Sequence, residues 1–263
     1  MSISTGRRAS NSRLCGAARR RRPPGRAPRI SNSPCLCAKA PDAPLRYNAA
    51  MRGLLCVVLL VGQAAGADWT ALFNGKNLDG WEVIGDGIWT VMRDGTLLAQ
   101  RDLKIKYEPK PEVNQSWLYT KQEFGEFDLQ LEWWTRRGGN SGVSLRDPSR
   151  GRFSIAGPQA DRNKTPSHLG YEIQISNGYR DKYPSGSVYL FDAAKTGFQQ
   201  DDDWNSFQIE VRDSMIKVSL NGHVVSQYAG APGRPIKGPI GLQLHDQTSV
   251  VMFRNIKIHE IKR

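Results

Sequence analysis

Residues 68–263 of this 263-residue chain contain no cysteine. All four cysteines lie in the first 67 residues, at Cys15, Cys35, Cys37 and Cys56. The larger part of the chain therefore has neither a disulfide framework nor a thiolate metal site. Its fold must depend on a hydrophobic core, and a segment of this length can bury one within a single domain.

The body of the chain also lacks an excess of charge of either sign. The formal net charge of the whole sequence is +12, but 12 of its 37 Lys and Arg residues lie within residues 1–67, together with only one of its 25 Asp and Glu residues. Residues 68–263 consequently carry 25 basic and 24 acidic residues, a net charge of +1. A near-neutral body argues against a nucleic-acid partner.

No apolar run is long enough to form a stable membrane span. Residues 54–61 (LLCVVLLV) form a short apolar run, far below the roughly 20 residues that a spanning helix needs. Arg52 precedes this run, and Ala65 and Ala67 follow it in the spacing of a cleavage site. These features predict a signal peptide over residues 51–67, cleaved after Ala67, and an extracytoplasmic protein that is periplasmic or secreted.

Residues 1–50 lack apolar periodicity and are rich in Arg, Pro and Ser. Such a composition predicts a disordered basic extension. We expect translation to begin at Met51, so that the upstream stretch is a mis-assigned start. The alternative is a genuine basic extension before the signal peptide. In both cases the folded domain is predicted to be residues 68–263.

No segment of the body has a helical period, whereas short runs of alternating polarity recur along it, separated by Asn-Gly and Asp-Gly turn signals. This pattern predicts an all-β fold, a sandwich of antiparallel sheets. The predicted strands are 68–73, 78–83, 88–91, 96–99, 116–120, 124–134, 140–146, 170–176, 186–191, 204–211, 215–220, 223–228, 238–245 and 250–261. Between two of them, residues 147–169 form a long polar connection, and connections of that length are usually functional or flexible.

The strand at residues 170–176 (GYEIQIS) is the first candidate for a functional site. Its apolar residues alternate with Glu172, Gln174 and Ser176, which predicts one face in a core and the other in water. A carboxylate and an amide then stand side by side on the solvated face. The simpler interpretation is that both are ordinary surface residues of an amphipathic strand.

The predicted outer faces of the internal strands carry an unusual set of side chains. Lys and Thr normally fill such faces, but here the residues are planar polar groups and aromatics, which suit hydrogen bonding to sugar hydroxyls and stacking on sugar rings. This composition predicts a carbohydrate ligand. The residues are Gln130, Glu132, Trp134, Ser144, Arg146, Glu172, Gln174, Tyr189, Gln243 and His245.

Several separated motifs resemble the 3-keto-disaccharide hydrolase family, in the order in which that family has them. They are residues 72–81 (LFNGKNLDGW), 140–146 (NSGVSLR), 171–175 (YEIQI), 241–245 (GLQLH) and 253–256 (FRNI). The resemblance extends over nearly all of residues 68–263. It implies a concanavalin A-like jelly roll of two curved antiparallel sheets, with the site on the concave sheet.

The resemblance also implies a chemistry, the cleavage of glycosides that carry a ketone at C3 of the sugar. A ketone at C3 acidifies the C2 hydrogen, so a base can remove it and the aglycone can leave from C1, with or without later addition of water. This route needs a general base and an electrophile for the enolate oxygen. Glu172 or His245 is the predicted base, and Arg146 or a divalent cation is the predicted electrophile.

The resemblance also implies a metal, whereas the remaining site residues follow from their places on the predicted strands and connections. One divalent metal ion is a possible cofactor, of undefined identity, with Glu172, Gln174 and His245 as its expected ligands. His168, at the end of the long connection, is a further residue that could reach the site. The predicted substrate-binding residues are Gln174, Asn140, Trp134, Tyr189 and Gln243.

Two other functions compete with this one. Laminarinase-type glycoside hydrolases share the jelly roll and place acids at alternate positions of one strand, but positions 174 and 176 here are Gln174 and Ser176. The second carboxylate of a retaining mechanism is therefore missing from the strand of Glu172. The other alternative is a non-catalytic, lectin-like module that binds sugar on the same face.

Overall fold

The computed structural model describes residues 68–104, 114–178 and 182–262. All of them belong to one compact unit, which spans residues 61–263. The predicted extension over 1–50 and the predicted signal peptide over 51–67 lie outside the described residues and stay predictions. Within the described part of the chain, no helix is long and apolar enough to cross a membrane.

Short antiparallel strands make up most of the regular secondary structure in the described chain, which includes only two short helical segments, a 3-10 turn at Arg162–Lys164 and the helix α1 at Pro166–Leu169. The strands are β1 (Thr70–Ala71), β2 (Trp81–Ile84), β3 (Ile88–Val91), β4 (Leu97–Gln100), β5 (Ser116–Thr120), β6 (Phe127–Thr135), β7 (Asn140–Leu145), β8 (Tyr171–Ser176), β9 (Asn205–Arg212), β10 (Met215–Leu220), β11 (His223–Tyr228), β12 (Ile240–Leu244) and β13 (Val251–Glu260).

These strands form two antiparallel sheets. The larger has eight strands in the order β11-β10-β9-β6-β13-β4-β3, with β1 also paired to β13, and the smaller has five in the order β2-β5-β12-β7-β8. Strands that are far apart in the sequence pair within a sheet. For example, β12 lies between β5 and β7. The predicted all-β jelly roll of two antiparallel sheets is confirmed.

One predicted strand, residues 186–191, is wrong. Val188 makes only isolated bridges, to Ile173 and Asp192, and the chain around it forms turns. Leu190 has a φ of 73°, a left-handed conformation that an extended strand does not contain. The apolar residues of this segment are explained by its packing, because Val188 is fully buried against the core.

The core lies between the inner faces of the two sheets, and its residues follow the period of two read from the sequence. In β6, Leu129, Leu131 and Trp133 are buried, whereas the alternate residues are partly exposed. In the five-stranded sheet, Ile173 and Ile175 of β8 join the same apolar cluster. Burial of this apolar surface is the main force that holds the sheets together.

The outer face of the five-stranded sheet differs from the expected solvated surface. All six residues of β8 are buried, and Glu172 and Gln174 are only 4% and 6% exposed. The connection from β7 to β8 packs over this face, where Ser154 accepts a 2.8 Å hydrogen bond from the Trp117 indole. The prediction that Glu172 and Gln174 lie on a solvated face is therefore wrong.

Arg146 joins the end of one sheet to the end of the other. It follows β7 with a φ of 61° and is 1% exposed. Its guanidinium donates a 2.6 Å hydrogen bond to the carbonyl of Asp213, between β9 and β10, and another to the carbonyl of Gly125, just before β6. Arg146 therefore satisfies two backbone acceptors of the eight-stranded sheet, which indicates a structural role.

Replacing Arg146 with Met should destabilise the protein by about 2–4 kcal/mol, because two backbone carbonyls lose charge-assisted donors. Urea unfolding followed by tryptophan fluorescence measures this change. The control is Arg93→Met, at an exposed position between β3 and β4, for which a change within about 0.5 kcal/mol is expected. Equal stability of the two variants would contradict the structural role of Arg146.

Candidate active site

The candidate site is built on three neighbouring strands, β8, β7 and β12. The register places Ser144 opposite Glu172 and Gly142 opposite Gln174, and it pairs Ser144 with Gly241 on the other side. Because side chains alternate along a strand, all of these residues lie on the outer face of the five-stranded sheet. Sequence-distant polar groups are thereby brought into one layer.

Gly142 leaves the room that the Glu172 carboxyl occupies. A Cβ atom at position 142 would lie 2.7 Å from Oε1 of Glu172 and 3.0 Å from its Cγ. No side chain larger than hydrogen fits there without moving Glu172. The carboxyl therefore lies over β7, toward Gln243 on β12.

Burial controls the charge of Glu172. Removal of the carboxyl from water raises its pKa from the ordinary value of 4.5 to about 8, and the nearby Gln243 amide only partly opposes this effect. The salt bridges within the described residues do not include Glu172. The group is therefore protonated, and a hydrogen-bond donor, at neutral pH.

A cavity of about 140 Å³ opens beside Glu172. This volume is smaller than the roughly 300–1,000 Å³ of typical ligand pockets and suits part of a small ligand such as one sugar ring. The predicted site residues that line it are Asn140, Glu172, Gln174, Tyr189 and His245. The residues that complete its lining are Gln115, Arg162, Thr165, Ser167, His168 and Leu190.

His245 enters the cavity from the end of β12 and lies beside an acid. Its Nδ1 atom is 3.7 Å from Oδ2 of Asp246. Burial favours protonation of Asp246, but its contacts with His245, Thr248 and Ser249 outweigh that effect and lower its pKa well below the usual range. A carboxylate therefore stands next to the imidazole of His245.

The long polar connection supplies a second histidine, His168. Its Nδ1 is 2.8 Å from the hydroxyl oxygen of Thr165, which is itself 2.9 Å from the hydroxyl oxygen of Ser167. Although much of His168 is exposed, the partial burial of its ring lowers its pKa, and the positive charge of Arg234 lowers it further. His168 therefore carries no charge at neutral pH.

Sequence reasoning named His168 as a further residue that could reach the site, but it missed Gln115, Arg162, Thr165 and Ser167. The available signal was the length and polarity of residues 147–169, because such a segment must cover something to remain ordered. No periodicity identifies which of its side chains point inward, so pattern alone could not select them.

Three predicted residues lie outside the cavity lining. Arg146 is held at the end of the sandwich by the carbonyls of Gly125 and Asp213, so the observed contacts do not support its predicted role as enolate electrophile, which stays untested. Trp134 lies on the outer face of the other sheet, opposite Met252. Gln243 shares the face of Glu172, and its buried amide lies close enough to the Glu172 carboxyl to influence its pKa.

The three predicted metal ligands, Glu172, Gln174 and His245, all line the cavity. Dedicated divalent-cation sites combine several carboxylate, imidazole or thiolate ligands. Over residues 68–104, 114–178 and 182–262, no three His, Cys, Asp or Glu side chains are grouped so that they could hold a metal ion. One carboxyl, one imidazole and one amide do not fit such a site, and no step is assigned to a metal.

Comparison with known proteins gives a family and a fold. The family model described as 3-keto-alpha-glucoside-1,2-lyase-like domain matches residues 68–259. A proposed glycosyl hydrolase from Parabacteroides distasonis ATCC 8503 is 27% identical, with a TM-score of 0.55, over 73% of this chain and 99% of that one. A second from the same strain is 22% identical, with a TM-score of 0.56, over 74% of this chain and 94% of that one. No curated protein matches the chain.

The raised pKa of Glu172 predicts a loss of stability with rising pH. Between pH 4.5 and about 8 the folded state keeps a proton that the unfolded state releases, so the free energy of unfolding falls over this range. The stability that Glu172 contributes is fully present below pH 4.5 and is lost once the pH has passed about 8. The shift corresponds to a loss in the free energy of unfolding on the order of 5 kcal/mol. Glu172→Gln, which cannot ionise, should lack this loss.

The measurement is urea unfolding of the wild type and Glu172→Gln at pH 5 and pH 9. The free energy of unfolding of the variant, relative to that of the wild type, should be higher at pH 9 than at pH 5. Glu82→Gln is the matched control, because Glu82 lies on the same outer face but is 39% exposed and paired with Arg152. A constant difference between wild type and Glu172→Gln at the two pH values would exclude a protonated, buried Glu172.

Proposed function

This chain belongs to the family of 3-keto-alpha-glucoside-1,2-lyase-like domains, and from that membership we propose that it cleaves glycosides carrying a ketone at C3 of the sugar. The observation that supports this proposal is the isolation of Glu172. Among the residues that line the described cavity, Glu172 is the only acid. Hydrolysis of an unactivated glycoside by the common mechanism requires two carboxyl groups, whereas elimination from a 3-keto sugar requires one acid and one base.

The ketone makes the reaction accessible to ordinary side chains. Removal of the C2 proton leaves an electron pair that is shared with the ketone oxygen as an enolate. When that pair forms the C1–C2 double bond, the C3 carbonyl is restored and the C1–O bond breaks with its electrons on the departing oxygen. The aglycone leaves as an alcohol after it receives a proton. Later addition of water to the double bond gives net hydrolysis.

The environments of the cavity residues support distinct roles for two of them. Glu172 is protonated at neutral pH and can donate a proton to the departing oxygen. His245, next to the Asp246 carboxylate, can accept the C2 proton. In an α-glucoside the C2 hydrogen and the C1 oxygen lie on opposite faces of the ring. The base and the acid must therefore be two different side chains.

The amide side chains of the cavity support binding of the same substrate. Gln174 donates a 3.4 Å hydrogen bond to Asn140, which leaves further donors and acceptors of both amides for sugar hydroxyls. Asn140 is in turn fixed by its backbone N–H, which donates to the Ser249 hydroxyl at 3.0 Å. Planar groups held in this way suit the hydroxyl pattern of a sugar ring.

Glu172→Gln should lower kcat/KM for methyl 3-keto-α-glucoside at least about 100-fold, because the leaving oxygen loses its proton donor. The loss should be much smaller for 4-nitrophenyl 3-keto-α-glucoside, whose aglycone leaves without protonation. In the wild type, kcat for the methyl glycoside should fall as the pH rises through about 8, as Glu172 loses its proton. The rate of aglycone release measures the two losses and the pH dependence.

Glu82→Gln serves as the control and should retain wild-type turnover. The unoxidised parent glycoside should not be cleaved by any variant. If the wild type binds the 3-keto-glucoside but never turns it over, the domain is a lectin-like binding module. Equal losses for both leaving groups would contradict the role of Glu172 as the proton donor.

Exhaustive chelation tests the metal hypothesis separately. Because the cavity ligands do not form a dedicated metal site, kcat should stay within about twofold of its original value after dialysis against EDTA and then against metal-free buffer. If activity is lost and returns on addition of one divalent cation, the protein uses a metal cofactor after all, with Glu172, Gln174 and His245 as its expected ligands. Metal content by atomic emission confirms that removal is complete.

A further inference from the structure

We infer that His168 is the electrophile of this site, donating a hydrogen bond from Nε2 to the ketone oxygen of the substrate and to the enolate that forms from it. This inference rests on the proposed function and names the group that takes the place of Arg146. It is carried by the hydrogen bonds that hold His168, the cavity that the side chain lines, and the charges around it.

The backbone fixes where the imidazole lies. Thr165 is the residue before the short helix α1, and its carbonyl accepts hydrogen bonds from the backbone N–H groups of His168 at 2.8 Å and Leu169 at 3.1 Å. Pro166 is the first residue of this helix, where a fixed φ is compatible with the turn. His168 is therefore one turn away from Thr165, with its side chain in the wall of the cavity.

The hydroxyl groups fix which nitrogen faces the substrate. Thr165 and Ser167 are 6% and 2% exposed, so neither hydroxyl depends on bulk water for its partner. We assign Ser167 as the donor to Thr165 and Thr165 as the donor to Nδ1 of His168, over 2.9 Å and 2.8 Å. With Nδ1 as an acceptor, the neutral ring carries its hydrogen on Nε2, the nitrogen left for the cavity.

Arg234 holds the helix and discourages a charge on the histidine. Its guanidinium donates to the carbonyl of Ser167 at 3.1 Å and to that of Gly170, and it lies 5.0 Å from the ring centre of Phe191. Its positive charge adds to the effect of burial in lowering the pKa of His168, against an opposing effect of Asp161. The other ionisable groups that line the cavity with His168 are Arg162, Glu172, Tyr189 and His245.

A neutral imidazole suits this task. It presents an N–H group to the oxygen on which negative charge develops, and it does so without first releasing a proton of its own. Because its hydrogen bond strengthens as the enolate forms, its effect should fall mainly on kcat. Thr165 and Arg234 act through His168 and are positioning residues.

The test compares His168→Leu, which removes the donor, with His168→Gln, which keeps an N–H group, and Thr165→Val, which removes the hydroxyl that orients the ring. Expected losses in kcat on methyl 3-keto-α-glucoside are about 100-fold, 10-fold and 10-fold, with KM within about threefold. His223→Gln is the matched control at an exposed histidine stacked on Phe198, and it should keep wild-type kinetics. Circular dichroism melting confirms that each variant is folded.

An infrared measurement separates this role from a structural one. The sugar is labelled with ¹³C at C3 and bound to the Glu172→Gln protein, where turnover is suppressed. Its carbonyl stretch should shift to lower frequency than in water, and the shift should disappear when His168→Leu is added. Exchange of the C2 hydrogen in deuterated water should slow in parallel, since it reports enolate formation alone.

An unchanged carbonyl shift in a folded His168→Leu protein that binds the sugar would overturn the inference, even if turnover falls. Because the infrared readout needs binding and no turnover, it still decides the role of His168 if the wild type proves to be a binding module. Failure of the wild type to bind any 3-keto-glucoside would overturn both the proposed function and this inference.

Discussion

The arrangement of the site depends on one energetic constraint, the burial of the Glu172 carboxyl without a cationic partner. An ionised carboxylate in that position would lose most of its hydration, so the protein keeps the group protonated instead. The constraint acts on the neighbouring strand as well, because only glycine at position 142 leaves space for the carboxyl. A conventional amphipathic strand needs neither feature.

Burial of this face requires a cover, and the covering segment must satisfy its own polar groups. The connection between β7 and β8 does so through Asp147, whose carboxylate accepts hydrogen bonds from the Tyr119 hydroxyl, from Ser149 and from the backbone N–H of Gly151. Trp117 donates to Ser154 in the same layer. The sandwich therefore has a polar, ordered layer outside its five-stranded sheet in addition to the apolar core between the sheets.

That polar layer brings together groups from different elements of the sandwich. Glu172 stands on a rigid strand and is only 4% exposed, whereas His245 follows the end of β12, beside a carboxylate that is fixed by Thr248 and Ser249. His168 belongs to the cover itself. Groups from a strand, a strand end and a connecting segment therefore meet around one cavity.

The sequence alone determined the all-β class and most of the strands, and it pointed to the strand of Glu172 as a candidate site, because alternation with a period of two is a local property of the chain. It also determined that no second acid stands beside Glu172 on β8. Only the tertiary structure decided that the outer face of β8 is buried, that Trp134 belongs to the other sheet and that residues 186–191 form turns. The same is true of Arg146, which links the two sheets, and of His168, which lines the cavity. These outcomes depend on which distant segments pack against each other, and no periodicity within one segment records that. The charge of a carboxyl and the task of an arginine are set by those neighbours, since desolvation and hydrogen bonding act through space and not along the chain.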